Sequence, residues 1–151
     1  MPGALDDGMA HERTDGRRPG GGRAPDGRRP LRAWRSLDPH DIDAELVEAV
    51  RRALSGPVLV HDRRWPSVLG GDAATAVGVA IRFLRSHRPD RTTGDLVMSA
   101  VLVHASSGDP AAALLLAHGL AVLARGRPDA DVLGSRARLW AAGPFRTRPP
   151  R

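Results

Sequence analysis

The sequence predicts an all-α domain of about five helices arranged as antiparallel hairpins, and three observations carry the prediction. Apolar residues recur at three- and four-residue spacing along several stretches, the mark of a helix with one face turned inward. Those stretches open on capping residues and close on Gly or Pro. One phrase also occurs twice. Residues 71–76 read Gly-Asp-Ala-Ala-Thr-Ala and residues 108–113 read Gly-Asp-Pro-Ala-Ala-Ala, and the patterns they open end at Arg88-Pro89-Asp90 and Arg127-Pro128-Asp129. Units spaced 37–39 residues apart point to stacked helix pairs, because one pair cannot bury its own apolar face.

The first element is a tail. Residues 1–35 are dominated by Gly, Pro, Arg and Asp, with Asp-Gly-Arg-Arg-Pro at both 15–19 and 26–30. Such a segment has too little apolar surface to offset the entropy of ordering it, so it reads as a disordered basic leader. Residues 36–143 form the helical domain, and residues 144–151 a second basic tail. Helix one spans Asp38 to Leu54, with Asp38 as cap, Pro39 in the first turn and Ile42, Leu46, Ala49, Val50, Ala53 and Leu54 as its stripe. Ser55-Gly56-Pro57 stops it.

Residues 57–70 read as an ordered loop or a short extended piece, because Trp65-Pro66 breaks a helix around it, with Trp65 covering the core edge. Helix two runs from about Asp72 to His87, on a stripe of Ala73, Ala76, Val77, Ala80, Ile81 and Leu84, and Arg88-Pro89 ends it. Helix three runs from about Thr93 to Ser106, with Leu96, Val97, Ala100, Val101 and His104 on one face. Helix four, Asp109 to Ala124, is apolar almost all round, the pattern of a helix packed on several sides. Helix five covers about Ala130 to Ala142, with Val132, Leu133, Ala137 and Trp140 inward, and Gly143-Pro144 ends it.

Composition bounds the function. With 151 residues the chain has room for one core. It has no Cys, which removes disulfides, thiolate metal sites and a cysteine nucleophile and fits a reducing, cytoplasmic setting. Acid at Asp6-Asp7 stands where a signal peptide needs an apolar run, and the apolar stretch Pro110 to Ala124 is too short to span a bilayer. All 23 basic residues are Arg, and the net charge is +6. That excess sits in the tails: residues 36–143 hold twelve Arg and twelve acids. Beside heavy Ala, Gly and Pro usage, the Arg-for-Lys choice looks like codon bias.

Helix three, the Gly108-Asp109 turn, helix four and the Pro128 stop together resemble a tetratricopeptide repeat. Gly108 and Asp109 match the family's turn, Ala113 and Ala117 its small packing positions, and Pro128 its closing proline. Gly71, Asp72, Ala76 and Pro89 match the second half of a preceding unit, and helix five a half-unit cap, so the resemblance covers residues 71–142. Pro89 and Pro128 are 39 residues apart, against a family period of about 34, which leaves a compact bundle as the alternative. The resemblance implies a groove along helices one, three and five that takes a peptide or partner helix. It also implies an adaptor or chaperone-like role, as in small accessory proteins of bacterial secretion systems.

Candidate chemistry is sparse. His61, His104 and His118 have no assigned role; His61-Asp62 resembles the doublet of metal phosphohydrolases without that family's further ligands, and His40-Asp41 reads as part of a helix start. No Gly-x-Ser-x-Gly elbow occurs, and without Lys a Walker-type phosphate loop is excluded. The expectation is a non-catalytic interaction module with no cofactor and no metal, whose protein or peptide partner and binding residues the sequence does not name. The alternative is a basic DNA-binding regulator that uses the Arg-rich tails and the fifth helix, where Arg136 and Arg138 follow Arg125 and Arg127.

Overall fold

The computed structural model describes residues 30–56, 60–89 and 91–143, and all regular structure among them is helical. The tail readings for 1–29 and 144–151 lie outside the described residues, as do Pro57, Val58 and Leu59. Five long helices are present: α2 (Ala44–Leu54), α4 (Ala73–Ser86), α5 (Thr92–Ser106), α6 (Pro110–Ala124) and α7 (Ala130–Ala142). Two single-turn helices, α1 (Ala33–Ser36) and α3 (Trp65–Leu69), add to the expected five, and 3-10 turns occupy Pro30–Arg32 and Pro39–Asp41. Among the described residues no helix is long and apolar enough to cross a membrane.

The helix starts follow from their caps. The Asp72 carboxylate accepts from the Thr75 N–H at 3.0 Å, and Asp109 from the Ala112 N–H at 2.8 Å. Each Asp follows a glycine in the left-handed region, Gly71 at φ 90° and Gly108 at φ 94°, which a side chain would disfavour. The twice-used phrase therefore builds the same device twice: a left-handed turn, then an Asx cap. Helix one starts later than expected. Asp38 makes no cap; the chain forms a 3-10 turn, breaks at Ile42, and restarts with Asp43 accepting from the Leu46 N–H at 2.8 Å. The loop expected around Trp65 holds a short helix instead. Pro66 falls in its first turn, where a proline removes no intrahelical bond. Trp65 is buried there, as expected of a core-edge cover.

The core is organised around α5. It packs against α1, α2, α4 and α6, while α6 carries α7 and also meets α4. Every residue from Gly94 to Val103 is buried, and only the ends of α5 reach solvent. α6 packs on α4, α5 and α7, as its nearly all-round apolar pattern predicts. α6 is the more apolar helix, but Ala111, Leu114, His118 and Ala121 make a plain exposed face along it. Two smaller corrections concern the stripes: Ile81 on α4 and Val132 on α7 face solvent, and Val79 takes the core on α4, while Leu133 is buried as expected.

Two glycines permit the close packing. A Cβ on Gly94 would lie 2.7 Å from the Pro89 backbone, and one on Gly119 would lie 2.5 Å from the Met98 methyl. Pro89 therefore beds against the first turn of α5, and Met98 nests on α6.

The largest departure from the sequence reading is at residues 30–35, which are part of the core rather than the tail. Ala33 and Trp34 are buried, Trp34 completely. The indole N–H donates to Asp95 Oδ1 at 3.0 Å, and Arg35 holds the same carboxylate with two bonds of 2.7 Å. One turn further along α5, the Ser99 hydroxyl donates to the Leu31 carbonyl at 2.8 Å. Asp95 and Ser99 are the polar residues of the core, and both are satisfied by this strap. Arg136 on α7 closes the arrangement, donating to the Arg35 carbonyl and to Asp38, each at 2.9 Å. Arg35 and Arg136 thus join the first described turns to the last helix.

Candidate binding cleft

The strap covers one flank of α5. The opposite flank, which carries Thr93 and Val97, opens into a cleft of about 820 Å³ bounded by residues 60–62, α4 and the start of α5. Its floor is apolar: Val60, Val79, Phe83 and Val97. The 3.6-residue period of α4 places Val79, Arg82, Phe83 and Ser86 on one side of the helix, so the apolar floor and the polar rim come from the same turns. Phe83 and His87 stack four residues apart, with ring centroids at 4.9 Å and planes within 10°.

The rim is cationic. Arg82, Arg88 and Arg91 line it, with His61 and His87 beside them. One carboxylate, Asp62, is among the lining residues, and it is already engaged. It accepts from the Arg64 N–H at 2.8 Å and from Arg82 Nη2 at 2.8 Å. The Arg64 N–H draws its carboxyl below the usual carboxylate range; desolvation opposes it, and Arg82 adds to the lowering. Asp62 is therefore a charged, committed acceptor at neutral pH and not a proton donor. Arg88 donates to the Arg125 carbonyl at 2.8 Å, a neutral partner, and pairs with no carboxylate among the described residues. Arg91 stands exposed just before α5 and supplies no side-chain cap.

The structure does not bring the three singled-out histidines together. His61 lines the cleft, His118 lies on the exposed face of α6, and His104 is half-buried at the end of α5. Burial draws the His104 imidazole below its ordinary range, with Asp109 opposing the effect and Arg51 adding to it. Among the described residues no group of three or more His, Asp or Glu converges as a metal site would need.

The arginines of the fifth helix are largely occupied. Arg136 is pinned to Asp38 and the Arg35 carbonyl, Arg127 to Asp129, and Arg138 donates to the Ser135 hydroxyl at 3.0 Å. The Arg127 guanidinium is also the main reason the Asp129 carboxyl lies below the ordinary range. Arg125 lines a smaller groove of about 490 Å³ between α4 and α6, with Ile81, Leu84, Leu115 and Val122.

Sequence reasoning missed the cleft because its parts come from three separate stretches. The available signal was local. Arg82, Arg85 and Arg88 recur at three-residue spacing, and α4 contains no acid. Comparison with known proteins finds no matching protein family, no similar curated protein and no similar solved structure.

Proposed function

We propose that this chain is a non-catalytic helical interaction module, an adaptor or chaperone-like protein of the cytoplasm, and that the cleft beside α4 takes a segment of a partner protein. One observation carries the proposal: a half-open trough with an apolar floor has a rim whose cations outnumber its carboxylates. Concave sites that combine apolar lining with a few oriented polar groups are the usual seats of ligands. The cations here are guanidinium donors beside His61, His87, Ser86 and Thr93, and the carboxylate among them is spent on Arg64 and Arg82. That equipment holds a ligand rather than transforming it.

The tetratricopeptide-like pairing belongs to the same proposal. Its support is the matched pair of Gly-Asp devices at 71–72 and 108–109, each opening a helix that packs on α5.

Photo-crosslinking tests the reading. Benzoylphenylalanine in place of Ser86, in the cleft, should trap a discrete protein adduct in the native host, whereas the same group in place of Arg138, exposed on α7, should not. Equal background from both positions would remove the cleft as a docking site.

A further inference from the structure

We infer that the segment received by the cleft is acidic and carries an apolar anchor: a peptide with carboxylates flanking one or two aliphatic or aromatic side chains. This rests on the docking reading above and adds the chemistry of the partner.

Charge complementarity is the argument. Of the lining groups, Arg82 is compensated by Asp62 at 2.8 Å, while Arg88 and Arg91 face no carboxylate among the described residues. Their neighbour Asp90 lies outside the described residues. Concave walls of low polarity and one sign of charge focus the field, so an approaching anion is drawn in before contact. A guanidinium is a planar fork whose parallel N–H groups match a carboxylate; both arginines line the trough, Arg88 with its Nη2 given to the Arg125 carbonyl at 2.8 Å.

The floor sets the second requirement. Val79 and Val97 are buried beneath it, and the partly exposed Val60 and Phe83 leave apolar surface for a side chain to cover. A purely acidic chain would use the rim and waste the floor. A single-stranded nucleic acid would supply the charge, but its bases need several aromatic platforms for stacking; Phe83 is the one Phe, Tyr or Trp among the lining residues, and His87 covers one of its faces at 4.9 Å. An apolar floor with so little stacking surface under a guanidinium rim favours the peptide.

Fluorescence anisotropy with the full chain tests this inference. The probe is a labelled short peptide of alternating Glu and Leu. Its controls replace Glu by Lys, or Leu by Ser, and a short single-stranded oligonucleotide serves as competitor. The acidic, apolar probe should bind, weaken as salt rises, and lose affinity in both controls. Combining Arg88→Glu with Arg91→Glu should weaken it at least ~10-fold, as expected for charge reversal at a close complementary contact, with unchanged thermal melting. Equal binding of the Lys peptide, insensitivity to the charge reversal, or efficient displacement by the oligonucleotide would each overturn the inference. If Ser86 crosslinks a protein while the acidic probe fails, the docking role stands and the acidic chemistry is wrong. If both fail, the docking role falls as well.

Discussion

The two flanks of α5 meet arginine in opposite ways. On the strap flank, Arg35 and the Trp34 indole converge on Asp95 with bonds of 3.0 Å or less, and Arg32 approaches the same carboxylate at 3.6 Å. On the cleft flank, Arg88 and Arg91 surround an apolar floor with no matching carboxylate among the described residues. The same residue type has two uses. Where its charge is answered and its surroundings are dry, arginine fixes the fold. Where it stands unanswered over a trough, it is available to a partner.

The most damaging way to probe that contrast is to empty the strap. Trp34→Ala should cost about 3–5 kcal/mol, the usual range for a buried Trp, and urea denaturation of the full chain will measure it. Asp95→Ala comes next, at about 3 kcal/mol, because it leaves Arg35 and the indole N–H facing a void. Adding Arg35→Met should return part of that loss. An additive double variant would show that the two groups do not act as a pair.

Helix glycines give a comparison of opposite sign. Gly94→Ala drives a methyl into the Pro89 backbone and should destabilise by roughly 1–3 kcal/mol. Gly78→Ala meets nothing within 4 Å, so it should stabilise, by roughly 0.5–1 kcal/mol on helix propensity. If both variants moved the denaturation midpoint the same way, the close approach at Pro89 would be wrong.

The end of α5 offers a smaller, pH-dependent effect. With its imidazole drawn down by burial, His104 is neutral in both states at high pH and contributes no slope there. As pH falls through the ordinary imidazole range near 6.5, the unfolded chain takes up the proton first, so stability declines. His104→Gln should flatten that decline between about pH 8 and pH 5 in denaturant titrations. Smallest of all is the effect of Arg91→Ala on folding. As an exposed cleft residue with no structural partner described, it should change stability by less than ~0.5 kcal/mol, in contrast to the strap residues.

Much of the fold was legible because local chemistry marks it. The Asp72 and Asp109 caps, the left-handed glycines before them and the Gly143 stop place α4, α6 and α7 within a residue or two. The strap was not legible. Trp34 sits among arginines in a single turn too short to show a period, and its partners lie about sixty residues away. Asp38 looked like a cap because its acceptor is short and well placed for one; its actual partner, Arg136, is 98 residues distant. The central role of α5 was hidden for a related reason. Asp95 and Ser99 make it look less buried than α6, and only the strap that satisfies them shows why they can be inside. The cleft escaped because charge was balanced over residues 36–143 as a whole. Net neutrality conceals segregation, and α4 holds its cations without acids of its own.

Arg136 gives the molecule a clasp. By gripping both Arg35 and Asp38 from α7, it turns an open string of helices into a hoop. A force applied to the two ends of the described fold falls first on that grip, and α7 cannot peel away without releasing the strap. Any shortened version of the chain that begins at residue 36 keeps only the Asp38 half of that grip and loses the strap.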